Sequence, residues 1–129
     1  MPYYRLHHGR VSEDEFVRTA RTWFWSDRGR GLEEVYVDGV YSAVRSLRDL
    51  VTYIHEMQAR DDNYVVAVFE GEEPPTVRVD AAGEGEADWD VRDLIQEPYW
   101  GEVWVRPTRL IRWMTVSEAL AAAEEEDDE

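Results

Sequence analysis

The 129-residue chain is predicted to fold as an α+β domain: a small split sheet, mixed or antiparallel, of about five to six strands with two to three helices. Three observations lead there. Residues 35–57 read as strand, tight Asp38-Gly39 turn, strand and amphipathic helix, with Leu47, Leu50, Val51, Ile54 and Met57 on one helical stripe. Tyr64 to Phe69 is almost continuously apolar, as expected of a central strand covered on both faces. A Ser or Thr followed three residues later by Asp or Glu recurs at Ser12, Ser46 and Thr115, the spacing of a capping box. Residues 1–123 are read as one domain and 124–129 as an acidic tail.

In chain order, Tyr3 to His8 alternates and is aromatic enough for a first strand ending at Gly9. Ser12 to Glu15 opens a helix with acids in its first turn, where the dipole favours them. Phe16, Val17, Ala20, Trp23 and Phe24 supply its buried face, and Asp27 to Gly31 ends it as a loop. Trp23, Phe24 and Trp25 cannot share one helical face, so one of them is expected to point outward or toward a cleft. Val35–Val37 and Val40–Val44 flank Asp38-Gly39 as a hairpin, or as two short strands separated by a kink. Asp61-Asp62-Asn63 turns the chain into the apolar strand. Thr76 to Asp80 alternates as a half-exposed strand, and Ala81 to Asp90, acidic and glycine-rich, is expected to be a loop. Asp90 caps a short turn over Val91–Ile95. Glu102 to Arg106 alternates, Pro107 interrupts, and Leu110 to Met114 resumes as strand. Thr115 and Glu118 start a C-terminal helix through Ala123, followed by solvated acids.

Composition closes off much chemistry. There is no cysteine, which removes disulfides, thiolate nucleophiles and Cys-ligated zinc. There is no lysine either: all 14 basic residues are arginine, so Schiff-base chemistry and a Walker A loop are excluded. The net charge of −15 argues against gripping nucleic acid by its phosphates. No apolar run approaches ~20 residues, the length that spans a membrane, and the first residues lack a secretory layout. A soluble, cytoplasmic protein is expected. Six acids in a row form the tail from Glu124 to Glu129, and the remaining 23 against 14 arginines still leave the domain acidic.

Among candidate sites, His7 and His8 are strand neighbours and point to opposite faces, and His55 is the only other histidine. No metal site is expected from them. Asp88 and Asp90 lack the twelve-residue calcium-loop pattern. Tyr99 and Trp100, after Pro98, are placed to stack on a planar ligand or partner.

The order of His8-Gly9 at a strand end, Gly39-Val40-Tyr41-Ser42-Ala43 running into Ser46-Leu47 and a helix reaching Tyr53, then Gly101-Glu102-Val103-Trp104-Val105, resembles the ADP-ribosyltransferase fold in its His-Tyr-Glu branch. The likeness spans most of Tyr3–Trp113 in motifs of two to four residues. Compact members such as the rifampin ADP-ribosyltransferases are of similar size. The resemblance implies that NAD binds in a cleft between two small sheets and that the nicotinamide–ribose bond breaks through an oxocarbenium-like state. It implies that His8, beside Gly9, bonds ribose hydroxyls, that Tyr41 or Tyr53 stacks on nicotinamide, and that Glu102, or in second place Glu97, stabilises developing charge. Catalytic roles thus fall to Glu102, His8 and Tyr41, and cofactor binding to His8, Gly9, Tyr41, Ser42 and Tyr53. Two positions depart from the pattern: Arg10 follows Gly9, and Ser42 follows Tyr41. In the family's other branch a first-strand arginine and a second-strand serine do the corresponding work, which makes Arg5 and Ser42 an alternative pair. A mixed pattern also fits an inactive descendant.

A second function class suits the charge. An acidic binding protein would cover a basic partner's surface, as an inhibitor or a mimic of nucleic acid does, and its binding would weaken steeply with salt. A third reading is a salt-adapted domain whose acids serve hydration alone.

Overall fold

The structure, a computed structural model, describes residues 2–29, 31–57, 64–80, 86–95 and 100–126. Its elements in order are β1 (Tyr3–His8), α1 (Glu13–Arg18), β2 (Arg21–Gly29), β3 (Gly31–Asp38), β4 (Tyr41–Ala43), α2 (Leu47–Met57), β5 (Tyr64–Glu72), β6 (Thr76–Asp80), β7 (Glu86–Asp90), α3 (Val91–Leu94), β8 (Val103–Thr115) and α4 (Val116–Glu126). The class is α+β, and every strand pairing among the described residues is antiparallel, in sheets of four, two and two strands.

The main sheet runs β1-β5-β8-β4. Its interior strand β5 carries the apolar run, with Val66, Ala67, Val68 and Phe69 all buried, as the unbroken hydrophobicity predicts. The edge strands also meet. Tyr4 and Val44 exchange two backbone hydrogen bonds, at 2.9 and 3.0 Å, so the sheet curls until its two edges touch at one point. One face packs Val66, Val68 and Met114 against Leu47, Leu50 and Ile54 of α2 and Ala119 and Ala123 of α4. The opposite face packs Tyr3, Tyr41, Phe69 and Val105 around Phe16, the single buried residue of α1. A third cluster gathers around Trp104, where Phe24, Val35 and Val37 of the β2–β3 ribbon meet Val77, Val79, Val91 and Leu94.

The three helix starts behave as their sequences predict. Ser12 Oγ accepts from the Glu15 N–H, Ser46 Oγ from the Asp49 N–H, and Thr115 and Glu118 exchange both capping-box bonds. Asp90 caps α3 through the Arg92 N–H.

Four expectations are corrected and one pair of alternatives is decided. The first helix stops at Arg18, and Arg21–Gly29 is a strand. Phe16, Val17, Ala20, Trp23 and Phe24 fit a helical spacing. Yet from Thr22 to Ser26 burial alternates, with Thr22, Phe24 and Ser26 inside and Trp23 and Trp25 outside, and the three consecutive β-preferring aromatics are divided between the two faces. Of the two readings of Asp38-Gly39, the kink between separate strands holds and the hairpin does not: Gly39 turns the chain at φ 91°, and β3 pairs with β2 and β4 with β8. Glu86–Asp90, expected within a loop, is a strand on β6, while residues 81–85 lie outside the described residues, as does the 61–63 turn. Pro107 does not end its strand: β8 is continuous, absorbing it at a register shift opposite Gly71. Finally, α4 passes Ala123, and Glu126 accepts from the backbone N–H groups of Leu47 and Arg48 at 3.1 Å, so part of the acidic tail caps α2. With eight strands and four helices among the described residues, the segmentation is finer than the sequence predicts.

Candidate functional site

A backbone bridge ties Tyr4 of β1 to Val44, the residue after β4, and beside it lies a cavity of about 460 Å³. That volume is within the range of roughly 300–1,000 Å³ usual for small-molecule sites. β1 contributes Tyr4, Arg5 and Leu6, and Ser42, Ala43 and Val44 line it from the β4 side. The start of β2 adds Arg21, Thr22 and Trp23, α2 adds Leu50 and Tyr53, and Trp100 and Glu102 enter from the segment ahead of β8. Leu94 and Trp104 extend its apolar wall.

Arg5 is the electrostatic centre of this wall. Its Nε is buried without a hydrogen-bond partner, and among the described residues its guanidinium forms no ion pair. What it does have is the Tyr41 ring, with Cζ 4.1 Å from the centroid. Burial lowers the Arg5 pKa to about 10, so the group stays charged at neutral pH. A buried cation without a counter-ion is unfavourable by itself, and an anion brought to the cavity would relieve it.

Ser42 donates a hydrogen bond to the Glu102 carboxylate across the gap between β4 and the residues preceding β8. Glu102 follows Gly101, which has φ 80°. That positive φ favours glycine, and a Cβ at Gly101 would sit 2.5 Å from Asp49 Oδ2, so the segment lies close against the first turn of α2. The same contact brings Trp100 edge-on to Tyr53, with ring centroids 5.3 Å apart. The cavity thus offers an unpaired guanidinium, a carboxylate held by a hydroxyl, and an aromatic pair, a set suited to an anionic ligand carrying planar rings.

Of the sequence-predicted residues, Arg5, Ser42, Tyr53 and Glu102 line this one cavity, whereas His8, Gly9 and Tyr41 do not. His8 is exposed at the end of β1, edge-on to Tyr64 at 4.7 Å, and Gly9 makes the bend beyond it at φ 89°. Tyr41 faces the other side of the sheet, buried, its hydroxyl donating to the Phe16 carbonyl at 2.5 Å. It touches the site only through the Arg5 guanidinium. Glu97 and Tyr99 lie outside the described residues. Of the cavity's β2 residues, Arg21 and Thr22 escaped the sequence reading because the helix period was followed past Arg18, whereas Trp23 belongs to the aromatic trio of which one was expected to point outward or toward a cleft.

Asp88 and Asp90 are taken up by Arg78 and Arg92, at 3.7 and 2.9 Å. Among the described residues no group of three or more His, Asp or Glu is arranged to hold a metal, and no helix is long and apolar enough to cross a membrane. No protein-family model matches this chain, and neither a curated protein nor a solved structure matches it.

Proposed function

We propose that the protein is a compact NAD-dependent ADP-ribosyltransferase whose working set is Arg5, Ser42 and Glu102, the alternative arrangement of that fold, with Tyr53 and Trp100 as the ring-binding pair. The observation that carries this reading is the meeting of the three polar residues, from the first strand, the β4 strand and the start of the last strand, around one cavity.

The residues present fit such a ligand. Arg5 Nε is an orphaned buried donor, and a guanidinium matches phosphate oxygens in a planar, two-pronged geometry. The Tyr53–Trp100 pair supplies an aromatic edge and face for a base. NAD, when bound, supplies an activated bond between nicotinamide and ribose. The chain's own part is positioning. Tyr41 packs beneath the Arg5 guanidinium, limiting where it can swing. Ser42 fixes the Glu102 carboxylate, so its negative charge is already oriented and needs little reorganisation. Leu50, Leu94 and Trp104 keep water from one wall, which strengthens both charges. No metal, lysine or cysteine is called for by this scheme.

Thermal shift with NAD and with ADP-ribose tests the reading. Ligand at a few millimolar is expected to stabilise the wild type by roughly 1–3 kcal/mol, as mass action gives when its concentration is about 5 to 150 times the dissociation constant. The shift is expected to vanish in Arg5→Gln and to survive in His8→Ala. No shift with either ligand, or one indifferent to Arg5, would overturn it.

A further inference from the structure

The outer face of the β2–β3 ribbon carries three of the four exposed large hydrophobic side chains among the described residues: Trp23, Trp25 and Tyr36, each more than two-fifths exposed. The register sets Trp23 across from Tyr36 and Trp25 across from Glu34, and the two tryptophans meet edge-to-face at 5.5 Å. Carboxylates frame this platform. Tyr36 donates to Glu34 at 2.6 Å, and Asp38 stands at the far end opposite Arg21. The surface already holds one guanidinium: Arg21 Cζ lies 4.2 Å from the Tyr36 ring centroid while its Nε meets Asp38 at 3.2 Å. Aromatic face plus carboxylate is the recognition chemistry of arginine.

We infer that this ribbon is a docking surface for an arginine-bearing segment of a partner polypeptide. The partner's guanidinium groups stack on Trp23 and Trp25 as Arg21 does on Tyr36, with Glu34, which stands across from Trp25, as counter-charge. A single-stranded nucleic acid would find rings to stack on, but the same carboxylates, on a chain of net charge −15, repel its phosphates. Because Arg21 and Trp23 also line the cavity, a segment held here runs to the rim of the proposed active site. The docking itself does not depend on the dinucleotide reading.

The test uses a fluorescently labelled peptide of alternating arginine and glycine, a lysine counterpart of equal charge, and a thymidine oligonucleotide, in 150 mM salt. Binding is compared among wild type, Trp25→Ala, Glu34→Gln and the tail control Glu124→Gln/Glu125→Gln. None of these positions lines the cavity, so the NAD thermal shift is an independent readout of the other proposal. The arginine peptide is expected to bind wild type and the tail control within twofold of each other, to lose at least fivefold in each ribbon variant, and to exceed the lysine peptide. Equal loss in the tail control, or none in Trp25→Ala, would reduce the effect to general charge attraction and overturn the inference. Oligonucleotide binding that falls with Trp25→Ala would overturn it in favour of a base-stacking surface.

Discussion

Ser42 and Glu102 lie 60 residues apart in sequence and are joined by a hydrogen bond from the serine hydroxyl to the carboxylate. Their meeting depends on the pairing of β4 with β8, where Ser42 stands opposite Trp104, two residues after Glu102. It depends equally on Gly101, whose positive φ aims the glutamate back toward β4. A hydrogen bond to a charged acceptor contributes about 1.5–3 kcal/mol. Ser42→Ala is therefore expected to leave NAD binding nearly unchanged while lowering turnover about tenfold or more, as judged by separate measurements of KM and kcat.

Gly101→Ala would place a methyl group against Asp49 and force a backbone conformation that alanine rarely adopts. Stability is expected to fall by about 1–2 kcal/mol. The diagnostic result is ligand-induced stabilisation reduced in the same variant, since both Trp100 and Glu102 move with the segment.

Phe16 is fully buried where α1 meets the sheet, with Tyr41, Phe69, Trp113 and His7 rings within 6 Å. Its truncation to alanine is expected to cost about 3–5 kcal/mol by denaturant unfolding. It should also disturb the site indirectly, because Tyr41 donates to the Phe16 carbonyl and supports Arg5.

His7 sits in that aromatic box with Nδ1 buried and unpartnered, and burial, followed by the nearby Arg5 and His8, lowers its pKa to about 4. Its protonated form is thus disfavoured in the folded chain. Above pH 6.5 both folded and unfolded chains hold it neutral and it contributes no pH dependence. Between pH 6.5 and 4 the unfolded chain binds the proton and the folded chain does not, so stability falls as pH drops. The expected outcome is that His7→Phe gains on the wild type progressively over that window in thermal melts. A constant difference from pH 7 to 4 would contradict it.

Glu126 caps α2 with both carboxylate oxygens. Glu126→Ala is expected to cost about 1 kcal/mol in chemical unfolding. The neighbouring exposed Glu124→Ala is expected to stay within about 0.5 kcal/mol of wild type.

Local signals carried far in this chain, and long-range ones did not. Ser12, Asp90 and Thr115 with Glu118 announce their helix starts because a cap is decided by residues two or three apart. The β5 strand is legible because only a strand covered on both faces carries six apolar residues in succession. The run from Thr22 to Ser26 misleads because apolar residues at 16, 17, 20, 23 and 24 satisfy a helical period, while two of its three inward positions, Thr22 and Ser26, are polar, so only packing against Val35 and Val37 reveals the strand. Glu126 at the start of α2 is invisible in sequence, since nothing local indicates that α4 will lie beside α2. The site divides the same way. Ser42, Glu102, Arg5 and Tyr53 are readable as residue types at motif positions, whereas which of them share a cavity follows from long-range pairing, of β4 with β8 and of Tyr4 with Val44.

The central proposal is that Glu102, held by Ser42 in the cavity that Arg5 also lines, drives cleavage of the bond between nicotinamide and ribose. The most direct measurement is nicotinamide released from NAD, with water or an added polypeptide as acceptor, by wild type and by Glu102→Gln, which keeps an acceptor for Ser42 and removes only the charge. Release by wild type that drops roughly 100-fold or more in the variant, the scale of losing one preorganised charge partner, while NAD still stabilises both proteins, is the result expected. Equal release by the two proteins, or none from a wild type that binds NAD, would contradict the account.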